Sequence, residues 1–251
     1  MYRPRRTRDL RSSFTFGGRI PASLGLLLVL MVVATVSFWL WHMGWVVLRS
    51  DTLASGQLWR LLTWPLVQAD PTALIFGGLT LYFFGPPLAY DWGERRFLST
   101  VLLLTLGAAL ITLGVSWVLQ VPFIDYYGIW PLVDGIVLLW ALRYPDQQIL
   151  FFFVLPITGR ILALLTVATN ALFLVWGVAH GGLNGLVAFT PPLAALLIAW
   201  ALSRGRLGLP LRRLRLAWRD FRLEQQLRRR SRHLKVVRKN GHGGGPPQWM
   251  N

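Results

Sequence analysis

Long apolar blocks separated by short polar breaks set the organisation of this chain. Residues 21–46 carry no Asp, Glu, Lys or Arg and end in Trp39, Trp41 and Trp45. That pattern predicts a first membrane-crossing helix with an aromatic interfacial end. A polar connection over residues 48–71 follows and is expected to face outward. Further apolar stretches predict helices over 72–84, ended by Gly85-Pro86-Pro87, and over 97–119, entered through the charged turn Asp91–Arg96. A fourth helix is predicted over 130–142, reached by a tight outer loop through Pro122 and Asp125. Residues 143–160 are an inner connection whose Leu150-Phe151-Phe152-Phe153 run is expected to lie along the interface rather than cross it. Helices over 161–175 and 178–203 complete six crossings, the last bent at Thr190-Pro191-Pro192. The predicted class is an all-α polytopic membrane protein.

Beyond the last block the period changes. Within 209–237, Leu211, Leu214, Trp218 and Phe221 recur at three and four residues, with Arg212, Arg213, Arg215 and Arg219 between them and Arg222 directly after. This is the pattern of an amphipathic helix with a cationic face. Such a helix is expected to lie on an anionic lipid surface, each cation contributing about 1 kcal/mol. An acidic partner such as ribosomal RNA is the alternative, although no aromatic-rich RNA motif accompanies the charges. The expected organisation is a basic tail over 1–19, a membrane domain over 20–204, a basic amphipathic helix over 205–240 and a disordered Gly- and Pro-rich tail over 241–251.

Composition supports the membrane reading. The chain is 54% hydrophobic and 14% charged, whereas a soluble domain carries about 25% charged residues. Its net charge of +16 is concentrated at the ends. Residues 1–19 hold six Arg against Asp9, and residues 203–251 hold fourteen basic residues against Asp220 and Glu224; the segment between is close to neutral. By the positive-inside rule both ends are expected in the cytoplasm, which demands an even number of crossings. Arg95, Arg96, Arg143 and Arg160 fall in the expected inner connections, in line with that orientation. Cysteine is absent, so disulfides, thiolate metal sites and a cysteine nucleophile are excluded. Arg outnumbers Lys 24 to 2, which fits a GC-rich bacterial genome and hence a bacterial inner membrane.

Four segments carry a family resemblance. They are Gly56-Gln57-Leu58-Trp59-Arg60-Leu61-Leu62-Thr63; Leu81-Tyr82-Phe83-Phe84-Gly85 with Trp92-Gly93-Glu94-Arg95-Arg96; the run from Gly128-Ile129-Trp130-Pro131 to Arg143-Tyr144-Pro145; and Ala179-His180-Gly181-Gly182-Leu183. Together, over residues 53–203, they resemble the rhomboid intramembrane proteases in order and spacing. The resemblance implies a six-helix bundle. In the family the fourth helix opens Gly-X-Ser-Gly and its serine is the nucleophile; here that position is Trp130, followed by Pro131. The supporting His and Asn of the second helix fall at Ala73 and Gly77, and an acid that follows it falls at Ala89. Of the catalytic set only His180 remains, and matching the glycine pair instead would put Ala179 there.

A hydroxyl within about 3 Å of its base is the minimum for acyl transfer, and losing one oxyanion donor alone costs roughly 10²- to 10³-fold. The resemblance therefore implies a protease-dead scaffold, like the iRhoms and Derlins, that binds transmembrane segments of other proteins. A divergent active protease is the alternative; Ser116 and Thr190 are the nearest spare hydroxyls. A small-solute carrier is a weaker one, because no inverted repeat is visible.

Trp130 is expected either to plug the vacated cavity or to sit at the interface. Asp134, one turn deeper, is the most unusual residue of the membrane blocks, since a carboxylate there costs about 2.5–3.5 kcal/mol. It is expected to bond His180 or Asn184, and Asp134 with His180 alone lacks the third ligand a metal needs. Trp59 and Arg60 are expected to anchor the outer loop in the headgroups, Arg60 by bonding backbone carbonyls. No cofactor is expected.

Overall fold

The structure is a computed structural model and describes residues 20–205 except 42–43, 53, 123–124 and 152–154. All of these belong to the first of the chain's two units, Met1–Arg206. The basic tail, the basic helix with Arg212, Arg213, Arg215, Trp218, Arg219, Phe221 and Arg222, and the Gly- and Pro-rich tail lie outside the described residues.

Helix α1 (Ala22–Trp41) follows Pro21, and its first amide donates to Glu94 Oε1 at 3.0 Å. Its buried positions Leu24, Leu27, Met31 and Thr35 recur at three and four residues, so one stripe faces the bundle and the rest faces lipid. A short helix α2 (Arg60–Thr63) lies in the connection that follows α1, between single turns at Gly44–Val46 and Trp64–Leu66. Helix α3 (Pro71–Trp92) is capped by Asp70, whose carboxylate accepts the Ala73 amide at 2.8 Å, with Pro71 in the first turn where its missing N–H is harmless.

The expected end of that helix at Phe84 is corrected. The chain continues through Pro86 and Pro87 to Trp92, because membrane helices absorb prolines that would end a helix in water. Gly93, with φ 83°, then separates α3 from α4 (Glu94–Leu119). Gln120 closes α4 in the left-handed region at φ 55°.

Helix α5 (Trp130–Arg143) is the axis of the bundle and packs against α7, α6, α3 and α4. Close approach comes from small residues. Gly135 seats the Leu104 side chain of α4, and Ala194, Ala195 and Ala199 of α7 are all buried. The all-α expectation needs one amendment. Strands β1 (Gln148–Phe151) and β2 (Leu155–Thr158) form an antiparallel hairpin, with Gln148 opposite Thr158 and Phe151 opposite Leu155. A run of Ile, Leu and Phe too short for a membrane helix satisfies its backbone here by pairing.

The last two expected helices divide differently. Helix α6 runs from Gly159 to Ala188, broken at Gly182 (φ 56°, ψ −131°), and α7 runs from Thr190 to Ser203. Residues 177 and 185 would be about 12 Å apart on a straight helix. Instead an alanine Cβ at Gly185 would lie 1.9 Å from the Gly177 carbonyl oxygen, so the chain doubles back at Gly182. The expected break near residues 176–177 therefore moves to Gly182. Pro191 and Pro192 sit in the first turn of α7, after an interruption at Phe189, rather than bending a continuous helix. Among the described residues four helices, α1, α3, α4 and α6, are long and apolar enough to cross a membrane, while α5 and α7 have 14 residues each.

Candidate functional site

The N-terminal end of α5 is where the family resemblance points, and a buried amide builds it. Gln68 has no exposed surface; its Oε1 accepts the Ile129 amide at 3.1 Å and its Nε2 donates to Pro65 O at 2.9 Å. Its backbone is held from α1, the amide donating to Thr35 Oγ1 (3.1 Å) and the carbonyl accepting Trp39 Nε1 (3.0 Å). Gln68 thus ties α1, the α1–α3 connection and the start of α5 together. A lone amide in an apolar stretch was the available sequence signal; its partners were not readable, since they come from three segments.

The hydrogen bond fixes Ile129, which is 1% exposed and lies against Gly77 of α3. A Cβ at Gly77 would stand 2.4 Å from Ile129 Cγ2. Trp130, expected either to plug the cavity or to sit at the interface, is 47% exposed, and the side chain that lies over Gly77 is its neighbour Ile129. Successive helical residues diverge by about 100°, so Ile129 and Trp130 cannot both face the bundle. Ala73 is buried and gives its amide to Asp70.

One turn deeper, Asp134 Oδ2 accepts Asn170 Nδ2 at 3.1 Å, and Asn170 also donates to Thr166 O of its own helix at 2.9 Å. The expected partners of Asp134, His180 and Asn184, are corrected by this pairing. Both are exposed near the turn at Gly182; His180 Nδ1 bonds Trp176 O at 2.8 Å and its ring lies 4.9 Å from the Trp176 ring. Tyr126, just before α5, has its phenol pushed well up by burial, and the nearby Asp134 charge adds to that. Among the described residues no group of three His, Cys, Asp or Glu could hold a metal ion.

The α1–α3 connection has its own brace. Arg60 is only 6% exposed and donates through Nη1 to Gly44 O (2.9 Å) and Val47 O (2.8 Å), and through Nε to Gln57 Oε1. The guanidinium thus bonds backbone carbonyls inside the loop. Trp59 is the exposed member of the pair and donates to Trp45 O at 3.0 Å.

The family model described as Rhomboid domain matches residues 55–205. No curated protein matches the chain.

Proposed function

The chain belongs to the rhomboid family, and from that premise we propose that it is a non-catalytic member that binds transmembrane segments of other membrane proteins. One observation carries the reading. The helix that would present a nucleophile opens with Trp130 and Pro131, and the space over Gly77 that an oxyanion side chain would need holds the Ile129 methyl. Neither spare hydroxyl offers a substitute, because Ser116 Oγ donates to Val121 O (2.6 Å) and Thr190 Oγ1 to Leu186 O (2.9 Å). A bundle without the reaction keeps short helices and polar interruptions, and a poorly hydrophobic client helix gains partners from them.

The test is covalent. The purified protein is expected to resist serine-directed fluorophosphonates and to leave rhomboid substrates uncut. Trp130→Ser is expected to change neither result, because a hydroxyl alone has no oxyanion donors behind it. Labelling that maps to any residue of the bundle sinks the reading.

The reading includes six crossings with both ends in the cytoplasm of a bacterial inner membrane. It also places the segment 209–237 on anionic lipid. What supports the lipid assignment is the sequence pattern: an apolar face with Trp218 and Phe221 set among arginines. Attraction between exposed charges is screened over about 8 Å at physiological salt. Binding of the 209–237 peptide to anionic vesicles is therefore expected to weaken steeply as salt rises, and Trp218→Ser to weaken it at every salt concentration. Equal binding to neutral and anionic vesicles removes the electrostatic part, and tight RNA binding without vesicle binding moves the assignment to nucleic acid.

A further inference from the structure

Helix α6 is held to the bundle along one stripe, Leu162, Thr166 and Asn170, each four residues from the next. Beyond Asn170 it leaves its neighbours. Leu172, Phe173, Val175 and Trp176 point in most directions around the helix, yet all are between 51% and 68% exposed. Gly177, the next buried position, is covered by Phe189 of the chain's own returning limb. The bond from Asn170 to Asp134 joins α6 to α5.

The facing helix shows the matching pattern. From Pro131 to Ala141 every residue of α5 is buried except Asp134, which is partly buried. Trp130, one turn further out, is exposed. The two helices are therefore joined at Asp134–Asn170, and above that pair apolar side chains of both, Trp130 on one and Phe173 and Trp176 on the other, stand exposed.

We propose that this exposed apolar surface beside Asp134 receives a transmembrane helix carrying one arginine or lysine in its outer half, which bonds the free positions of the Asp134 carboxylate. The inference rests on the client-binding reading and narrows it to a chemical class of client. A carboxylate offers about four acceptor positions, and the Asn170 amide takes one of them. Charge complementarity selects the occupant. A cation in a client helix is costly in lipid for the same reason that Asp134 is, and pairing removes part of both costs. The rest of the client remains apolar to match Trp130 and Phe173.

The experiment uses the full chain in nanodiscs of neutral phospholipid. The protein has no cysteine, so a donor dye on a single Asp51→Cys reports on acceptor-labelled host helices. The hosts are leucine–alanine segments of about 20 residues, identical except for Arg, Gln, Glu or Leu at one position in the outer half. The Arg host is expected to bind roughly tenfold more tightly than the Leu host, and the Glu host no better than Leu. Asp134→Asn keeps an acceptor for Asn170 and so keeps the helices joined, but it is expected to bind the Arg and Leu hosts alike. Equal binding of Arg and Leu hosts by the unaltered protein overturns the inference and leaves client binding standing. A Gln host as tight as Arg overturns the charge assignment. Retention of the Arg preference by Asp134→Asn overturns the site. Failure of every host to bind overturns the client reading together with this one.

Discussion

Gly185→Ala is expected to destabilise the protein by more than about 3 kcal/mol, a large effect for one methyl group. The added Cβ would meet backbone on all sides that matter: Gly177 O at 1.9 Å, Gly177 C at 2.3 Å and Val178 N at 3.0 Å. A flexible side chain could rotate away from such a contact, but a helix backbone cannot without parting the two limbs. Two neighbours serve as controls. Gly181 has no heavy atom within 4 Å of its Cβ position, so Gly181→Ala is expected to stay within about 0.5 kcal/mol of the unaltered protein. Gly182 also has open space, but its φ of 56° and ψ of −131° are hostile to an L side chain, and alanine there is expected to cost about 1–3 kcal/mol. Thermal melts of the full chain in detergent should rank the variants Gly181→Ala, Gly182→Ala, Gly185→Ala from highest to lowest Tm. A Gly185→Ala protein that melts with the unaltered one would mean that the limbs do not touch.

The same hairpin shows where sequence reasoning stops. Helices α4 and α5 were legible almost to the residue, Phe97–Leu119 against Glu94–Leu119 and Trp130–Leu142 against Trp130–Arg143, because an apolar block in lipid must close its own hydrogen bonds as a helix. The rhomboid relationship was legible too, since four short motifs keep their order along the chain. The turn at Gly182 was not. It depends on which glycine takes a left-handed conformation and on two glycine backbones meeting, and neither leaves a mark in hydropathy. Pro86 and Pro87 misled for the opposite reason: their rule is calibrated in water, and the bundle overrides it. At the candidate site, Asp134 stood out as a charge among apolar residues, but its partner Asn170 lies on a helix with no periodic signal linking the two. Ile129 drew no attention because an isoleucine in a membrane block is ordinary. Its role comes from the glycine opposite, and from Gln68 holding its amide in place.

Ile129 therefore supports the second large effect. Gly77→Asn is expected to cost upwards of about 3 kcal/mol, combining overpacking with an amide left beside a methyl group and without a partner. The obstructing atom belongs to a β-branched side chain with little χ1 freedom. Its backbone is pinned by the Gln68 bond, so neither end of Ile129 can yield. Ile129→Ala alone leaves a cavity and is expected to cost about 2–5 kcal/mol. The informative quantity is the cycle. In Gly77→Asn with Ile129→Ala the new side chain enters the space the old one left, so the double variant should be destabilised by at least about 1 kcal/mol less than the two singles together. Additive costs would mean that residues 77 and 129 do not share a space. The cycle also bears on the chemistry. Restoring Trp130→Ser and Gly77→Asn while Ile129 stays in place is expected to give a poorly folded protein with no fluorophosphonate labelling, because the amide has nowhere to stand. Labelling of Ser at position 130 in that background would show that Ile129 does not occupy the oxyanion space, and the non-catalytic reading would lose its physical basis.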